Sequence, residues 1–422
     1  MTTASSPRGS SFSRRPRALA TIGAASVAGL TLFGTTPAFA ASDDCLPANT
    51  VDAGSGGTAA DIQALLDADT PVICLSGTFP VTATLSLDYD LTLIGLSGAV
   101  LDGGNTTQIL TADEGTTLTV DNLTFQNGTS DSGGAISGDI VNVTNSTFVG
   151  NAAGNSGGAI DAYDLSVETS TFTGNSAAVG GAILGYFVTV DSSTFESNSA
   201  DISGGAIAGY GDVFVGNSTF VGNAAGADGG AIVASYGVIA LSTFLDNSAG
   251  GAGESVFLGL GDPPIANGVY GNIFAGSSSD PQLSSTEGVD LNDFGGNVFS
   301  TESEPSLTDV QESSKFSQTT AAIFNGATLA DNGGPTRTVA LYAGSPAVGA
   351  VPASADFTAT VDQRGVARDA AIDAGAYEFV PPVVPAVLPP TGSGAPGWVA
   401  GVAGLMIAAG AVVLGAVRRR RA

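Results

Sequence analysis

The chain has 422 residues, of which 43% are hydrophobic and 12% charged, with 60 glycines, no histidine and a formal net charge of −27 at pH 7. So acidic a chain repels nucleic acid and anionic lipid surfaces, which we therefore exclude as partners. With two cysteines and no histidine the chain cannot supply the usual zinc ligands, and we expect no metal and no cofactor.

Residues 1–40 have the organisation of a secretory signal peptide. Four arginines precede an apolar run that starts at Ala18, and Ala38-Phe39-Ala40 is a small-x-small cleavage site before Ala41. The pair Arg14-Arg15 leaves both the general and the twin-arginine export routes open. We therefore predict a secreted protein.

Residues 41–70 are predicted to cap the fold at its N-terminal end. Residues 58–69 form an amphipathic pattern with Ile62, Leu65 and Leu66 on one face, and such a helix would cover the open edge of a first coil. Cys45 and Cys74 are an even pair in an exported chain, which predicts a disulfide, with two free thiols as the alternative.

Residues 71–300 are predicted to form a solenoid, with its most regular repeats at 125–247. Phenylalanine recurs at spacings of 23, 24, 23, 25 and 24 residues, and Gly-Gly-Ala-Ile recurs between the phenylalanines. Five phenylalanines begin the motif Phe-x-x-Asn. Alternating apolar and polar residues between the markers indicate short strands, and no helical pattern interrupts them. The repeated residues are Phe125, Phe148, Phe172, Phe195, Phe220 and Phe244, with Asn151, Asn175, Asn198, Asn223 and Asn247.

Stacking such units by parallel pairing at ~4.8 Å would place Phe on Phe and Asn on Asn in continuous columns. The Gly-Gly-Ala and Phe-x-x-Asn motifs are similar to the repeats of the polymorphic outer-membrane-protein family of bacterial surface proteins. This resemblance covers about residues 120–250 and implies an all-β fold, a right-handed parallel β-helix.

Residues 301–379 are predicted to contain the last coils and a distinct C-terminal module at residues 328–379. Its motifs, which begin at Asp331, Gly344, Asp362 and Asp373, resemble the module called choice-of-anchor Q, found at the end of β-helix surface proteins. We interpret its arginines and carboxylates as structural pairs that close the last coil. Residues 380–390 are proline-rich and predict a short, stiff linker.

Residues 388–422 carry the strongest functional signal. An LPxTG motif is followed by an apolar, membrane-length segment at 398–417 and then by four arginines. This order resembles the sorting signal that sortases of Gram-positive bacteria recognise. The resemblance implies cleavage before Gly392, transfer of Thr391 to the peptidoglycan precursor amine, and only transient contact with the membrane. The motif residues are Leu388, Pro389, Pro390, Thr391 and Gly392. Loss of both terminal segments would leave four basic residues against 39 acidic ones, a formal charge of −35.

A column of tyrosines is the candidate ligand strip. Tyrosine follows the Ile of the last four Gly-Gly-Ala-Ile motifs by three, three, three and four residues, so alternation from an inward Ile points the first three outward. An exposed aromatic strip suits sugar rings or an apolar patch of a partner, whereas a ladder that only stiffens the turn is the alternative. The residues are Tyr163, Tyr186, Tyr210 and Tyr236.

We therefore expect an adhesin-like, wall-anchored β-helix with a glycan or protein ligand, and no catalytic residue is assigned. A polysaccharide hydrolase is the first alternative, because such enzymes need only two carboxylates; the candidates are Asp139, Asp161, Asp164, Glu168, Asp191, Glu196 and Asp212. A lyase is disfavoured because no lysine or arginine lies between residues 41 and 314. A passive wall spacer is the second alternative.

Overall fold

The computed structural model describes residues 44–259, 267–276, 280–287, 289–300, 307–308, 310–352 and 360–382. Those up to Phe379 belong to one compact unit, and a second unit begins at Val380. The predicted signal peptide, the LPxTG motif and the apolar tail lie outside the described residues. Within the described residues, no helix is both long and apolar enough to span a membrane.

Parallel strands dominate the chain. Strands β1 to β9 are Thr50–Asp52, Val72–Pro80, Leu85–Leu87, Leu91–Asp102, Leu110–Ala112, Thr117–Gln126, Thr129–Ser132, Ile136–Thr144 and Thr147–Val149. Strands β10 to β19 are Ala152–Ser156, Ile160–Glu168, Thr171–Thr173, Ser176–Val179, Ile183–Asp191, Thr194–Glu196, Ser199–Ser203, Ile207–Gly216, Thr219–Val221 and Ala224–Ala225. Strands β20 to β29 are Ile232–Ala240, Thr243–Leu245, Ser248–Ala249, Val256–Leu258, Asn267–Tyr270, Ile273–Ala275, Leu283–Ser285, Leu291–Asp293, Val298–Phe299 and Leu307–Thr308.

Each strand pairs with the equivalent strand of the coil before and the coil after it, which makes a parallel β-helix. One wound sheet holds 23 strands, and a second of six strands consists of β7, β10, β13, β16, β19 and β22. Ile160 lies in register with Ile183, and Phe172 with Phe195, so like residues stack as the repeats predict. The predicted all-β solenoid is confirmed.

The interior is built from columns of identical side chains. All six repeat phenylalanines are fully buried, and the stack continues through Phe274 and Phe299 to Phe316, with neighbouring ring centroids 4.7–5.0 Å apart. Phe316 falls in residues 300–317, which the sequence predicts to be a surface loop. That prediction is wrong at Lys315 and Phe316, because Phe316 stacks on Phe299 and Lys315 bridges to Val298.

Buried asparagines form a second column, because each amide can satisfy backbone groups at a turn. The Asn151 amide donates to the Asn175 side-chain oxygen at 3.0 Å, and the same bond repeats upward to Asn247. Each also donates to a phenylalanine carbonyl, as Asn198 does to Phe172 at 3.0 Å. Asn127, one place early in its motif, bonds Asp102 instead.

A serine column was not predicted. The backbone N–H of each serine donates to the hydroxyl of the serine one coil on, at 3.0–3.1 Å from Ser146 to Ser242. The residue before each serine, for example Thr169 or Leu241, has a φ of 45–53°. Residues other than glycine rarely adopt this left-handed conformation, so the surrounding structure holds the corner in it. The sequence signal was the serine that precedes Thr-Phe in five of the six regular repeats.

At the N-terminal end, helix α1, Ala59–Leu66, buries Ile62 and Leu66 in the main core. Asp61 accepts hydrogen bonds from the backbone and hydroxyl of Thr58, which begins the helix. Gln63 accepts from the Ser86 N–H at 3.0 Å. Cys45 and Cys74 are joined by a disulfide beside the pairing of β1 with β2. Two short 3-10 helices, Pro47–Asn49 and Ala53–Ser55, flank β1.

The C-terminal module lies along the flank of the solenoid. It contains β30, Leu329–Ala330, paired antiparallel with β31, Thr338–Val339, while the short helix α2, Thr320–Phe324, precedes it. Its residues reach coils far back in the sequence: Thr336 donates to the Ser192 carbonyl, and the Ala376 N–H donates to Thr243. The module's arginines do form pairs with carboxylates, as predicted, but these do not close the last coil, because Arg337 pairs with Glu196 and Arg368 donates to Asn217, both on earlier coils.

Candidate functional site

The candidate site is a corner of the coil formed by β8, β11, β14, β17 and β20, where β11 and β14 each expose two successive residues and β17 exposes Tyr210. Register across these strands gives two columns at the corner. The first column runs Asp139, Tyr163, Tyr186, Tyr210 and Ser235, and the second runs Ile140, Asp164, Phe187, Asp212 and Tyr236. We call Tyr163, Tyr186, Phe187 and Tyr210 the aromatic patch.

All four rings of the aromatic patch face solvent. Their exposed fractions are 44% for Tyr163, 42% for Tyr186, 38% for Phe187 and 60% for Tyr210. The outward direction predicted for the first three tyrosines of the strip agrees with this placement. Exposed large apolar side chains clustered at one corner are unusual on a soluble surface and are typical of a contact site.

The rings hold one another in place. Tyr163 and Tyr186 are stacked, with centroids 5.1 Å apart and planes 10° from parallel. Phe187 is nearly perpendicular to both, at 4.8 Å from Tyr186 and 5.8 Å from Tyr163. A Cβ on Gly211 would come within 2.8 Å of the Tyr186 ring and 2.6 Å of its carbonyl. Gly211 therefore makes room for Tyr186, and the ring is fixed before any partner arrives.

Two features of this corner depart from the predicted strip. Tyr236 is half-buried and lies opposite Asp212, in the column of Phe187. Tyr236 follows its Ile by four residues, as Phe187 does in its own coil, whereas the other three tyrosines follow by three. In β17 an extra residue between Gly209 and Asp212, where the register shifts, brings Asp212 into the same column. The predicted strip does not include Phe187 because it contains only tyrosines, although Tyr186-Phe187 is the one adjacent pair of aromatic residues in these repeats.

Carboxylates flank the aromatic patch in both columns. Asp139 precedes Tyr163, Asp164 precedes Phe187, and Asp212 follows Phe187. Burial raises the pKa of the Asp164 carboxyl, and the nearby Asp139 carboxylate raises it further. Burial also raises the pKa of Asp212. None of the ion pairs among the described residues includes these three carboxylates.

Three of the other candidate carboxylates, those of Asp161, Asp191 and Glu196, have a polar partner away from the aromatic patch. Glu196 is paired with Arg337, and Asp161 accepts a short hydrogen bond from Ser156. Asp191 accepts a hydrogen bond from the Ser192 hydroxyl, and burial of its carboxyl raises its pKa to about 6. Burial also raises the pKa of Glu168, which pairs in register with Asp191. Of the seven acids, Asp139, Asp164 and Asp212 are brought together with the aromatic patch.

The C-terminal module covers part of the threonine column beside the phenylalanines. Gln363 donates to Thr194 at 2.9 Å and accepts from Thr219 at 2.5 Å, which leaves Thr194, Thr219 and Thr243 buried while Thr147 and Thr171 are half-buried. Arg364 pairs with Asp362 and lies over Tyr377, and buried Arg368 pairs with Glu378 at 3.2 Å. The module also brings Arg337 onto the coil of Glu196. The fold thus places a basic side chain against the β-helix, although residues 41–314 contain no lysine or arginine.

Among the described residues, no group of three or more acidic side chains or cysteines is arranged to hold a metal ion. The five residues of the LPxTG motif lie outside the described part of the chain.

Comparisons with known proteins agree with the repeat architecture. Residues 169–186 and 192–210 match the family model of the Chlamydia polymorphic membrane protein repeat. A crystal structure of pectate lyase Pel9A aligns with 75% of this chain and 90% of its own, at 16% identity and a TM-score of 0.43. The search of curated proteins gave no match. By its own strand pairing and stacked columns, the chain is a parallel β-helix repeat protein.

Proposed function

We propose that this chain is a secreted surface protein, attached covalently to the cell wall by a sortase, whose β-helix presents the aromatic patch to a glycan or protein ligand. The exposed, pre-positioned rings of Tyr163, Tyr186, Phe187 and Tyr210 on an otherwise polar corner are the observation that supports a contact role. The repeats, the resemblance of the C-terminal module and the ordered sorting signal support display at the surface. We further propose that helix α1 shields the edge of the first coil, since it buries Ile62 and Leu66 there.

Anchoring is tested on protein released from the wall by a muralytic enzyme. Mass spectrometry is expected to find a C-terminal peptide that ends at Thr391 and carries a peptidoglycan fragment. In cells without the sortase, or with Thr391→Ala, the protein should remain in the membrane fraction or the medium. An intact Arg418–Arg421 tail in membrane extracts of normal cells would contradict the proposal.

The contact role is tested on a glycan and matrix-protein array. Wild-type protein is compared with the double variant Tyr186→Ala/Tyr210→Ala and with the control Ile202→Ala, which removes an apolar side chain that is 52% exposed outside the aromatic patch. Binding should disappear in the double variant and persist in the control. Unchanged binding in the double variant would refute the role of the patch, and no binding by wild type would favour a passive spacer.

A hydrolase is a second candidate function because Asp139 and Asp164 interact electrostatically next to exposed aromatic rings. A carboxyl with a raised pKa beside an ionised one is the arrangement of a general acid and its partner. A reducing-sugar assay over plant and microbial polysaccharides tests it. Activity that is lost in Asp164→Asn and kept in Asp201→Asn, an exposed acid elsewhere, would establish this function in place of pure binding.

A further inference from the structure

The aromatic patch and its carboxylates define a more specific ligand than an aromatic strip alone. Acids lie next to rings in both outward columns: Asp139 adjoins Tyr163 in the first, and Asp164 and Asp212 adjoin Phe187 on either side in the second. Neighbouring coils are spaced ~4.8 Å apart, so every acid lies within one coil of a ring. A ligand that covers Tyr163 or Phe187 therefore also lies beside a carboxylate.

The electrostatics of the corner favour a cationic ligand. Asp164 is exposed, and partial desolvation together with the nearby Asp139 carboxylate raises the pKa of its carboxyl, so a positive charge close to the pair stabilises its ionised form. No lysine or arginine of the chain lies between residues 41 and 314 to supply that charge locally. The strongly negative surface also attracts cations from a distance and repels anionic polysaccharides.

The geometry of the rings favours a flat cation over a sugar. Tyr163 and Tyr186 stack on each other, so each ring covers one face of the other and closes that face to a ligand. A pyranose ring needs a broad open face, whereas a guanidinium group is small and planar. It can stack on one ring and donate two hydrogen bonds to a neighbouring carboxylate. The same protein already uses this combination internally, where Arg364 pairs with Asp362 and lies 3.5 Å from the centroid of the Tyr377 ring.

We propose that the aromatic patch binds arginine side chains of a basic protein partner, with Asp164 as the principal carboxylate and Tyr186 and Phe187 as the stacking surface. This inference rests on the proposed contact function and narrows its ligand. Arginine should be preferred over lysine, because an ammonium group cannot stack or form the two-pronged hydrogen bond. Binding should weaken as salt is added, but the preference for arginine should remain.

The test measures binding of labelled peptides to the purified mature protein by fluorescence anisotropy. The probes are (Arg-Gly)4, (Lys-Gly)4 and (Gln-Gly)4, with cellohexaose as an unlabelled sugar competitor. The variants are Tyr186→Leu, which keeps an apolar side chain, and Asp164→Asn; Asp201→Asn removes one exposed charge outside the patch as a control. Melting curves of each variant confirm that the fold is retained.

The arginine peptide should bind about fivefold more tightly than the lysine peptide, and Tyr186→Leu and Asp164→Asn should each weaken it by about fivefold or more. Asp201→Asn should change it less than about twofold. If the arginine and lysine peptides bind equally, and Asp201→Asn weakens binding as much as the patch variants do, the inference is overturned and binding is explained by diffuse charge attraction. Binding of cellohexaose but not of the arginine peptide, abolished by Tyr186→Leu, would overturn it while leaving the contact function intact. If Tyr186→Leu changes the binding of neither the arginine peptide nor cellohexaose, both this inference and the proposed contact function fail.

Discussion

Gln363 accepts a hydrogen bond from Thr219, which lies 144 residues earlier in the chain, and donates to Thr194 one coil before it. One side chain therefore spans two coils and fastens the C-terminal module to the flank of the β-helix. The same amide donates to the Ser193 carbonyl and to Thr336, and all of these groups are buried. A module held by buried polar groups depends on every partner being satisfied.

Replacing Gln363 by leucine should release the module more readily than it unfolds the helix. The change leaves the buried Thr219 hydroxyl without its acceptor and Thr194 without one of its two partners, since Thr194 still donates to the Arg337 carbonyl, and should cost about 2 kcal/mol. Hydrogen exchange should accelerate across residues 336–352 and 360–379, with the coils around Phe148 unchanged. Thr360→Val, at an exposed position of the same module, serves as the control. Uniformly faster exchange throughout the chain would contradict a separately detachable module.

The asparagine column should be a major source of stability. Asn198 accepts from the backbone and the amide of Asn175 and donates to Phe172 and Asn223, so Asn198→Ala leaves several buried groups unpaired. We expect a loss of at least about 2 kcal/mol in the free energy of unfolding, measured by urea titration. Asn155→Ala, on an exposed strand position, should stay within about 0.5 kcal/mol of wild type. Similar losses in both variants would argue against the column.

The disulfide should stabilise the first coil. The Cys45–Cys74 bond closes a loop with a sequence separation of 29, which corresponds to roughly 3–4 kcal/mol in the chain-entropy treatment. The Cys45→Ser/Cys74→Ser protein should lose hydrogen-exchange protection first at β1 and its partner β2. Alkylation of both cysteines in native protein without reductant would show that the bond is absent.

Asp191 should make stability depend on pH. Burial raises its folded pKa to about 6, from an ordinary value of 3.8, so the folded state binds the proton more tightly than the unfolded state. Its contribution is therefore most favourable below pH 4 and is lost as pH rises through about 6. The difference in unfolding free energy between wild type and Asp191→Asn should change between pH 4 and 7 by about 1.4 kcal/mol for each unit of pKa shift. A difference that is constant with pH would contradict this, and Asp201→Asn provides the baseline.

Much of the fold could be predicted from the sequence because each repeat of a solenoid packs against only the repeats before and after it. The 23- to 25-residue spacing fixes which residues stack, and Phe172 or Asn198 then occupies the same place in every coil. The placement of the C-terminal module could not be predicted in this way. Its contacts, such as that of Ala376 with Thr243, join parts of the chain more than 130 residues apart and do not correspond to any repeat in the sequence.

The candidate site lies between these two cases. The outward tyrosines follow from alternation, but the alternation fails where a coil bends and exposes two residues in succession, as at Tyr186 and Phe187. Tyr236 lies in the next column because it follows its Ile by four residues, and the extra residue at Gly211 brings Asp212 opposite it, which only the register between strands reveals. The acids beside the rings were each visible in sequence, but their grouping depends on that register.

Hydroxyl-radical footprinting of the protein bound to its surface ligand, identified on the array or as the arginine peptide, tests the central claim most directly. Binding should protect Tyr163, Tyr186, Phe187 and Tyr210 from oxidation, while Ile202 and Val310, which are about half exposed, should react as in the free protein. Protection confined to Ile202 or Val310, with the four aromatic rings still fully reactive, would show that the protein meets its partner elsewhere.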